Sequence, residues 1–454
     1  MSRFRPIDRK TAYLLPPSVD DWLPQDHLAR FIVEAIEQLD LTDLTRVYAG
    51  RGSAAYHPEV LLGLLVYGYA TATFSSRRIE RATYDSVAFR YLAAGSHPDH
   101  DTLASFRRRF LEELGGVFLQ VLELASEMKL LKLGTVSLDG TKLHANASRH
   151  SALSHGHIVK LETQLKAEVQ DLLALAEAAD QSDIPDGVNL PAEIKRREDR
   201  LAVMAAAKVK IEARAKVRFE AEQAAFEAKL VKRAARAAET GRKPTGKPPT
   251  PDPRPEDQIN LTDEASRIMK VAGGGFDQCY NAQAAVDAPT MLVVASALTN
   301  AGNDKQQVGS MLDVLAALPA SLGTVDTLLA DTGYCSAANI AACEDAGVEP
   351  YIAVAREDHH PGWRERFTEP LPLETDVTPM QKMAHKLKTK LGRMLYALRK
   401  QTVEPVFGII KSVMGFRQFL LRGLEKAKGE WMLVCLAWNL KRMAVLRQKS
   451  VRCA

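Results

Sequence analysis

The sequence predicts an α/β protein: a mixed sheet with covering helices, preceded by an all-α segment and interrupted by a long helical insertion. Three observations predict it. Five short stretches, 134–144, 278–287, 291–298, 325–330 and 350–355, show the alternation or the apolar run of a strand. Residues 1–130 and 379–447 instead carry apolar positions at helical spacing. Between the first two strands lie ~130 residues, whereas neighbouring antiparallel strands are usually joined by about two to five. With 454 residues, 46% hydrophobic and 26% charged, the chain has ample material for a core, and disorder throughout is excluded. No apolar run approaches the ~20 residues of a membrane span.

In the helical N-terminal segment the first periodic run is 28–39, and Pro58 opens a second over 60–70. Thr73-Phe74-Ser75-Ser76 is a turn that offers hydroxyl caps to the basic helix Arg77-Arg78-Ile79-Glu80-Arg81. A helix, a short turn and an Arg-rich second helix are compatible with helix-turn-helix DNA recognition. Asp101-Thr102 caps a further helix, which carries Arg107, Arg108 and Arg109. In 134–144, Val136 and Leu138 point one way and Ser137 and Asp139 the other. In 278–287, Tyr280, Ala282, Ala284 and Val286 share a face, and the turn Asp287-Ala288-Pro289-Thr290 leads into the buried strand 291–298. Asn303-Asp304 caps a helix running to about residue 318, and Asp304 is assigned to that cap. The strand 325–330 ends at Asp331-Thr332-Gly333, and a helix over 337–346 and the strand 350–355 follow.

The insertion spans 145–276. Within it, 158–180 and 191–240 have the Ala-, Glu-, Lys- and Arg-rich composition of a long helical hairpin, and 241–258 is a Pro-rich linker, so these parts fill 150–258. With the insertion set aside, the order is β-β-β-α-β-α-β-α. That is the order of a ribonuclease-H-like fold, three antiparallel strands and then parallel ones.

The formal net charge is only +4, which by itself argues against a nucleic-acid partner. Its distribution reverses that inference. Residues 378–450 hold 16 Lys and Arg against 3 Asp and Glu, a net +13; 191–247 hold 16 against 8, a net +8. Acidic charge elsewhere hides two basic stretches of the kind that attract phosphate backbones. Cys279, Cys335, Cys343, Cys435 and Cys453 are scattered without a CxxC pair, and the first ten residues lack an apolar leader. Free thiols in a reducing cytoplasm are therefore expected. His144, His150, His155 and His157 crowd together without accompanying cysteines, so they read as a polar loop rather than a zinc site.

Three carboxylates occupy positions suited to chemistry: Asp139 in SLDGTK, Asp331 at the end of the fourth strand in LLADTGY, and Glu404 in the basic C-terminal helices. In this fold order the first and fourth strands are neighbours, which lets Asp139 and Asp331 face each other where strand ends and loops converge. Hard oxygen ligands of this kind hold Mg²⁺, and two such ions can clamp the attacking and leaving oxygens of an in-line displacement. LDGT also resembles the motif of haloacid-dehalogenase phosphatases, but Ser137 stands where their nucleophilic Asp belongs.

The sequence resembles bacterial insertion-sequence transposases of the DDE type, in the group with an N-terminal helical transposase domain. The matching stretches are DRKTAYLLPPSVDDWLPQDHLARFI, AYHPEVLLGLLVYGYATATFSSRRIE and HPDHDTLASFRRRF, then VSLDGTKLHANAS, YNAQAAVD, LLADTGY and VEPVFGIIKSVMGFRQFLLRGL. The resemblance implies a helical DNA-binding domain over 1–130 and a catalytic domain over 131–454. It makes Asp139, Asp331 and Glu404 the catalytic, metal-binding triad for two Mg²⁺ ions, with Mn²⁺ able to substitute. It also points to a Tyr…Arg…Glu…Lys helix signature, here Tyr396, Arg399 or Lys400, Glu404 and Lys411, whose basic members bind phosphates. The step from Tyr396 to Glu404 is one residue longer than the commonest form, so Arg399 and Lys400 both remain candidates. Pro405 disfavours helical geometry at Glu404, which places that acid at a kink or an N-cap.

The implied reaction is metal-assisted phosphodiester hydrolysis at transposon ends followed by strand transfer to target DNA. Arg77, Arg78 and Arg81 are the candidates for gripping the terminal repeats, with Arg107, Arg108 and Arg109 as backbone contacts. The expected partners are double-stranded DNA, both ends and target, and a second copy of the chain in a homodimer or larger assembly, without a membrane. The expected place is the cytoplasm, on the nucleoid. The competing expectation is a transposase-derived DNA-binding protein without activity, against which all three acids stand with their motifs intact.

Overall fold

The N-terminal segment winds into short helices because capping residues and breaks recur every ten residues or so. The computed structural model describes residues 18–48, 55–178, 189–240, 247–355, 368–373 and 377–453. Helices α1 (Val19–Trp22), α2 (Leu28–Ile36), α3 (Thr42–Thr45), α4 (Pro58–Ala70), α5 (Ser76–Asp85), α6 (Val87–Leu92), α7 (His100–Arg109) and α8 (Leu114–Glu127) precede the first strand. Ser18 and Asp21 form a reciprocal capping box on α1, and Asp99 caps α7 through the Thr102 N–H. Pro58 sits in the first turn of α4, where its missing N–H costs nothing. Leu61, Leu62, Leu64, Leu65, Val66, Tyr69 and Ala70 leave no exposed face on that helix, so it is a core helix.

Next come β1 (Leu133–His144), β2 (Ala152–Ser154), α9 (His155–Ala178), α10 (Leu190–Thr240), β3 (Gln258–Asn260), β4 (Arg267–Lys270), β5 (Phe276–Asp287) and β6 (Val293–Thr299). The chain continues with α11 (Gln307–Ala316), β7 (Gly323–Ala330), α12 (Ala337–Asp345) and β8 (Glu349–Ile352). Helices α13 (Pro379–Lys388), α14 (Lys390–Ser412) and α15 (Leu424–Cys453) close it. Two compact units result, Met1–His144 with Tyr280–Ala454, and Ala145–Cys279.

In the first unit the strands run β6-β5-β1-β7-β8, with β6 antiparallel to β5 and with β1, β7 and β8 parallel. This is the ribonuclease-H-like sheet that the element order predicts. The last strand ends at Ile352, shorter than the sequence reading, and the helix expected from 303 begins as a 3₁₀ turn, Asp304–Gln306, before α11. Helix α15 packs against β6, α4 and α8, and so is buried nearly all round. Trp431, Leu433, Val434, Leu436, Leu440 and Met443 are at most 1% exposed, each contributing about 1.5–3 kcal/mol over an exposed position. The Trp431 indole N–H is satisfied by the Gln283 carbonyl at 3.1 Å.

In the second unit α9 packs along α10 through Ile158, Leu165, Met204, Ala207 and Ile211, with Ile259 of β3 in the same cluster. β2 pairs antiparallel with β3, and β4 with the first residues of β5. The helical hairpin expected of the insertion is thus present. The link at 179–188 and residues 241–246 of the Pro-rich linker lie outside the described residues. No helix among the described residues is long and apolar enough to cross a membrane.

Candidate active site

Parallel pairing of β1 and β7 sets Leu138 opposite Ala330. The next residues, Asp139 midway along β1 and Asp331 just past the end of β7, therefore lie side by side where β7 stops. Asp331 closes β7 as the N-cap of the turn Thr332–Tyr334, its Oδ1 accepting the Gly333 N–H at 2.8 Å. Asp139 stays on β1, where its Oδ1 accepts the Gly140 N–H at 2.8 Å.

Helix α14 lies along β1 and β7 and brings the third acid. It continues as helix through Pro405, so of the two expectations for Glu404, a kink or an N-cap, the N-cap is excluded. The buried stripe Val403, Val406, Phe407 and Ile410 holds the helix together where proline's missing N–H weakens it. Thr389 caps α14 through the Gly392 N–H, and a side chain at Gly392 would run into the Lys386 carbonyl, which fixes the break between α13 and α14.

One cation gathers the three acids. Arg399 donates from Nη2 to Asp139 Oδ2 and from Nη1 to Glu404 Oε1, each at 2.9 Å, and its Nη2 lies 3.7 Å from Asp331 Oδ2. Its side chain is 8% exposed, against 37% for Asp331 and 50% for Glu404. Of the two basic candidates, Arg399 is the one turned inward; Lys400 is exposed. Burial lowers Arg399, but Asp139, Tyr396, Asp331 and Glu404 outweigh it and raise its pKa above the ordinary guanidinium value. Burial pushes the Asp139 carboxyl up to about 6, with Asp331 and Asp304 adding to the rise while Arg399 and the Gly140 N–H oppose it. Lys411, two turns beyond Glu404, donates to Thr141 Oγ1 on β1. Tyr396, Arg399, Glu404 and Lys411 thus share one helix beside Asp139 and Asp331.

Residues 17–109 match the family described as Transposase domain (DUF772), and residues 246–440 match the family described as Transposase DDE domain. The chain belongs to the DDE transposases of insertion sequences. No curated protein and no solved structure matches it. The DDE match covers Asp331 and Glu404, whereas Asp139 lies outside both matched stretches, on the far side of the insertion. A DDE transposase acts on DNA by phosphodiester chemistry, so the donor set bears on how a metal is held. Three carboxylates converging on one positive group are hard oxygen donors and fit a divalent ion such as Mg²⁺. Among the described residues no three such groups are already spaced around a single ion, because Arg399 stands between them.

The arginines expected to meet DNA divide into two kinds. On α5, Ser76, Ile79 and Thr83 face inward, which leaves Arg77, Arg78 and Arg81 exposed; Arg81 pairs with Asp85 at 3.3 Å. On α7, Arg108 and Arg109 are exposed, with Arg109 over the Tyr48 and Phe110 rings. Arg107 corrects the expectation. It is buried, donates to the Tyr69 hydroxyl at 3.1 Å and the Phe74 carbonyl at 3.2 Å, and cannot meet a phosphate. Positions 103, 106, 107 and 110 form one helical face, so the Leu103 and Phe106 periodicity carried that signal.

Asp304 is the residue that the sequence reading misplaced. Asn303 is the cap, accepting the Lys305 N–H at 2.9 Å, and Asp304 turns into the site. Its Oδ1 accepts from Asn281 Nδ2 at 2.6 Å and Gln283 Nε2 at 2.8 Å, and Lys142 Nζ lies 3.4 Å away. The available clue was a buried strand, YNAQAAVD, carrying two amides that need a polar partner. Gly140 makes room for this group: a Cβ there would lie 2.7 Å from Asp304 Oδ1 and closer still to Gln283 Nε2. Gly140→Ala is expected to lower stability by about 1–3 kcal/mol through that overpacking, which thermal melting of the purified chain measures. A variant that melts with the wild type would show that the contact yields freely.

Proposed function

We propose that this transposase binds the terminal inverted repeats of its element and catalyses metal-dependent hydrolysis of the end phosphodiester and then strand transfer. The observation that carries the reading is the convergence of Asp139, Asp331 and Glu404, from three separate elements, on Arg399. Asp139, Asp331 and Glu404 are the residues that would hold two Mg²⁺ ions, or Mn²⁺ in their place. Bound there, the metals supply charge neutralisation at the attacking and leaving oxygens of an in-line displacement.

The chain's own groups position the DNA. Arg399 already sits among the acids and holds Asp139 and Glu404 in place; where a bound metal took over those carboxylates, its planar fork would turn to a phosphate oxygen. Lys411, held beside the site at Thr141, supplies a second cation for the same backbone, and the exposed Lys400 a third. Tyr396, one turn before Arg399 on the same helix, lies close enough to contribute to its raised pKa. In the first step a water oxygen bonds to phosphorus and the 3′ oxygen leaves as a hydroxyl; in the second that hydroxyl oxygen bonds to a target phosphorus, and the target strand's 3′ oxygen leaves as a hydroxyl in its place. Positioning and charge account for such a reaction without a covalent enzyme intermediate.

Arg77, Arg78 and Arg81 on α5 project away from its buried face and are proposed to grip the repeats, with Arg108 and Arg109 on the backbone beside them. Replacing Arg77 and Arg78 together by Ala is expected to weaken end binding and to reduce the slope of log affinity against log salt by about 2. Gel shifts at several salt concentrations test this, and an unchanged slope would remove α5 from the interface. Self-association on paired ends and a place on the nucleoid follow from the same reading. The whole is tested by combining a gel shift with Mg²⁺-dependent cleavage of terminal-repeat duplexes. Binding with cleavage supports it; binding without cleavage at any Mg²⁺ or Mn²⁺ concentration points to a transposase-derived DNA binder.

A further inference from the structure

Asn303 satisfies the cap of the turn that contains Asp304, so capping does not account for the Asp304 carboxylate. That carboxylate is held by two amides of β5, Asn281 and Gln283, each 0% exposed. Asp304 is half-buried; its Oδ1 takes two short hydrogen bonds from these amides, with Lys142 Nζ 3.4 Å away as its counter-charge. The same oxygen lies against Gly140, the residue after Asp139, and the other oxygen lies 3.7 Å from where a Cβ of Gly333 would stand. That Cβ position is also 2.9 Å from Asp331 Oδ1. One carboxylate therefore abuts the backbone next to both acids, and each motif, DGT and DTG, carries glycine at the point of contact. The circuit closes through Gln283, whose Oε1 accepts the hydroxyl of Tyr334 from the turn that Asp331 caps.

We propose that Asp304 is a positioning residue of the active site: anchored on β5, it sets the separation of the Asp139 and Asp331 carboxylates and thereby their affinity for a divalent cation. The inference deepens the proposed function and rests on its assignment of Asp139 and Asp331 to the metal. Arg399 offsets the repulsion between the two acids from the α14 side, and Asp304 fixes the backbone on which they stand from the β5 side. Asp304 packs tightly on Gly140 and lies near Gly333, while Gln283 ties Tyr334 of the same turn, so the pair is held near one spacing before any ion arrives. Its own negative charge, beside Gly140, adds to the field that draws a divalent cation inward.

The test uses the full chain and Mn²⁺ alone, titrated calorimetrically without DNA, beside a terminal-repeat gel shift in chelator and cleavage measured against Mg²⁺ concentration. Asp304→Ala removes anchor and charge, and is expected to weaken Mn²⁺ binding on the order of tenfold, the usual size of effect for groups that orient metal ligands. The Mg²⁺ concentration for half-maximal cleavage rises by a similar factor, the rate at saturating Mg²⁺ falls less, and the gel shift in chelator does not move. Asp304→Asn keeps the acceptor for Asn281 and Gln283 and should fall between the two, and it supplies the same reading if the Ala variant does not fold. Wild-type Mn²⁺ affinity and Mg²⁺ dependence in both variants would overturn the inference. Asp139→Asn in the same titration separates the two levels. If it binds Mn²⁺ as the wild type does, the proposed metal set fails; if it does not while the Asp304 variants do, only the clamp fails.

Discussion

Asp139→Asn is expected to abolish strand cleavage, leave end binding intact, and make the metal-free protein more stable above about pH 6. The first two effects follow from the site: the substitution removes one hard oxygen anion from the converging set and disturbs nothing on α5 or α7. The third follows from its electrostatics. Burial, with Asp331 and Asp304 nearby, holds the folded carboxyl at about 6 against an ordinary 3.8, despite Arg399. The folded chain thus keeps a proton that the unfolded chain has lost, so stability falls as pH rises through that window. Two units correspond to about 3 kcal/mol, present in full above the folded value and absent below the unfolded one. An Asn at 139 imitates the protonated acid, and Arg399 keeps Asp331 and Glu404 as partners. Melting in chelator should therefore show the variant above the wild type at pH 8 and level with it near pH 4. Unchanged Mg²⁺-dependent cleavage would sink the role of Asp139; equal melting at both pH values would sink the electrostatic account. A site residue that costs stability in this way is what a binding site for cations entails.

The strand that carries Asp139 and the turn that carries Asp331 were legible because their signals are local. Alternation marks a strand, and an Asp followed by Thr-Gly marks its end, wherever the rest of the chain lies. The choice between Arg399 and Lys400 was not local. Adjacent residues on a helix point about 100° apart, and which one meets the acids depends on how α14 lies against β1 and β7. The N-cap alternative for Glu404 fails for a related reason: the penalty of Pro405 is visible in the sequence, while the apolar stripe around it stabilises the helix only once packed. Asn303 and Asp304 are both good caps, so composition could not say which of them the exit from β6 would turn inward. Arg107 differed, since its neighbours already placed it on the apolar face and the run of three arginines masked that periodicity.

Glu430→Ala is expected to cost on the order of 3–5 kcal/mol, enough to take most of the margin of a domain that is stable by about 5–15. Glu430 lies on α15 at 0% exposure. Its Oε1 accepts the Tyr69 hydroxyl at 2.6 Å, and its Oε2 accepts the N–H groups of Leu420 and Leu421, each at 2.9 Å. Arg107 completes the chain by donating to the Tyr69 hydroxyl and the Phe74 carbonyl, so a charge pair bridged by a phenol sits inside the core. Burial raises the Glu430 pKa, while Tyr69, the Leu421 N–H, Arg107 and the Leu420 N–H hold the ionised form in place. The segment it grips is also tied to β1: His144 donates to the Arg417 carbonyl at 3.0 Å, and Phe419 donates to the His144 carbonyl at 2.9 Å. Removing the carboxylate leaves the buried Leu421 N–H, the part-buried Leu420 N–H and the Tyr69 hydroxyl without this acceptor, and leaves Arg107 without its counter-charge. Glu430→Gln keeps one oxygen for the two N–H groups and can turn its amide toward Tyr69, so it should lose much less. Urea unfolding of the three proteins, followed by circular dichroism, should therefore rank wild type, Gln, Ala. An Ala variant as stable as the wild type would mean that this network does not hold α4, α7 and α15 together.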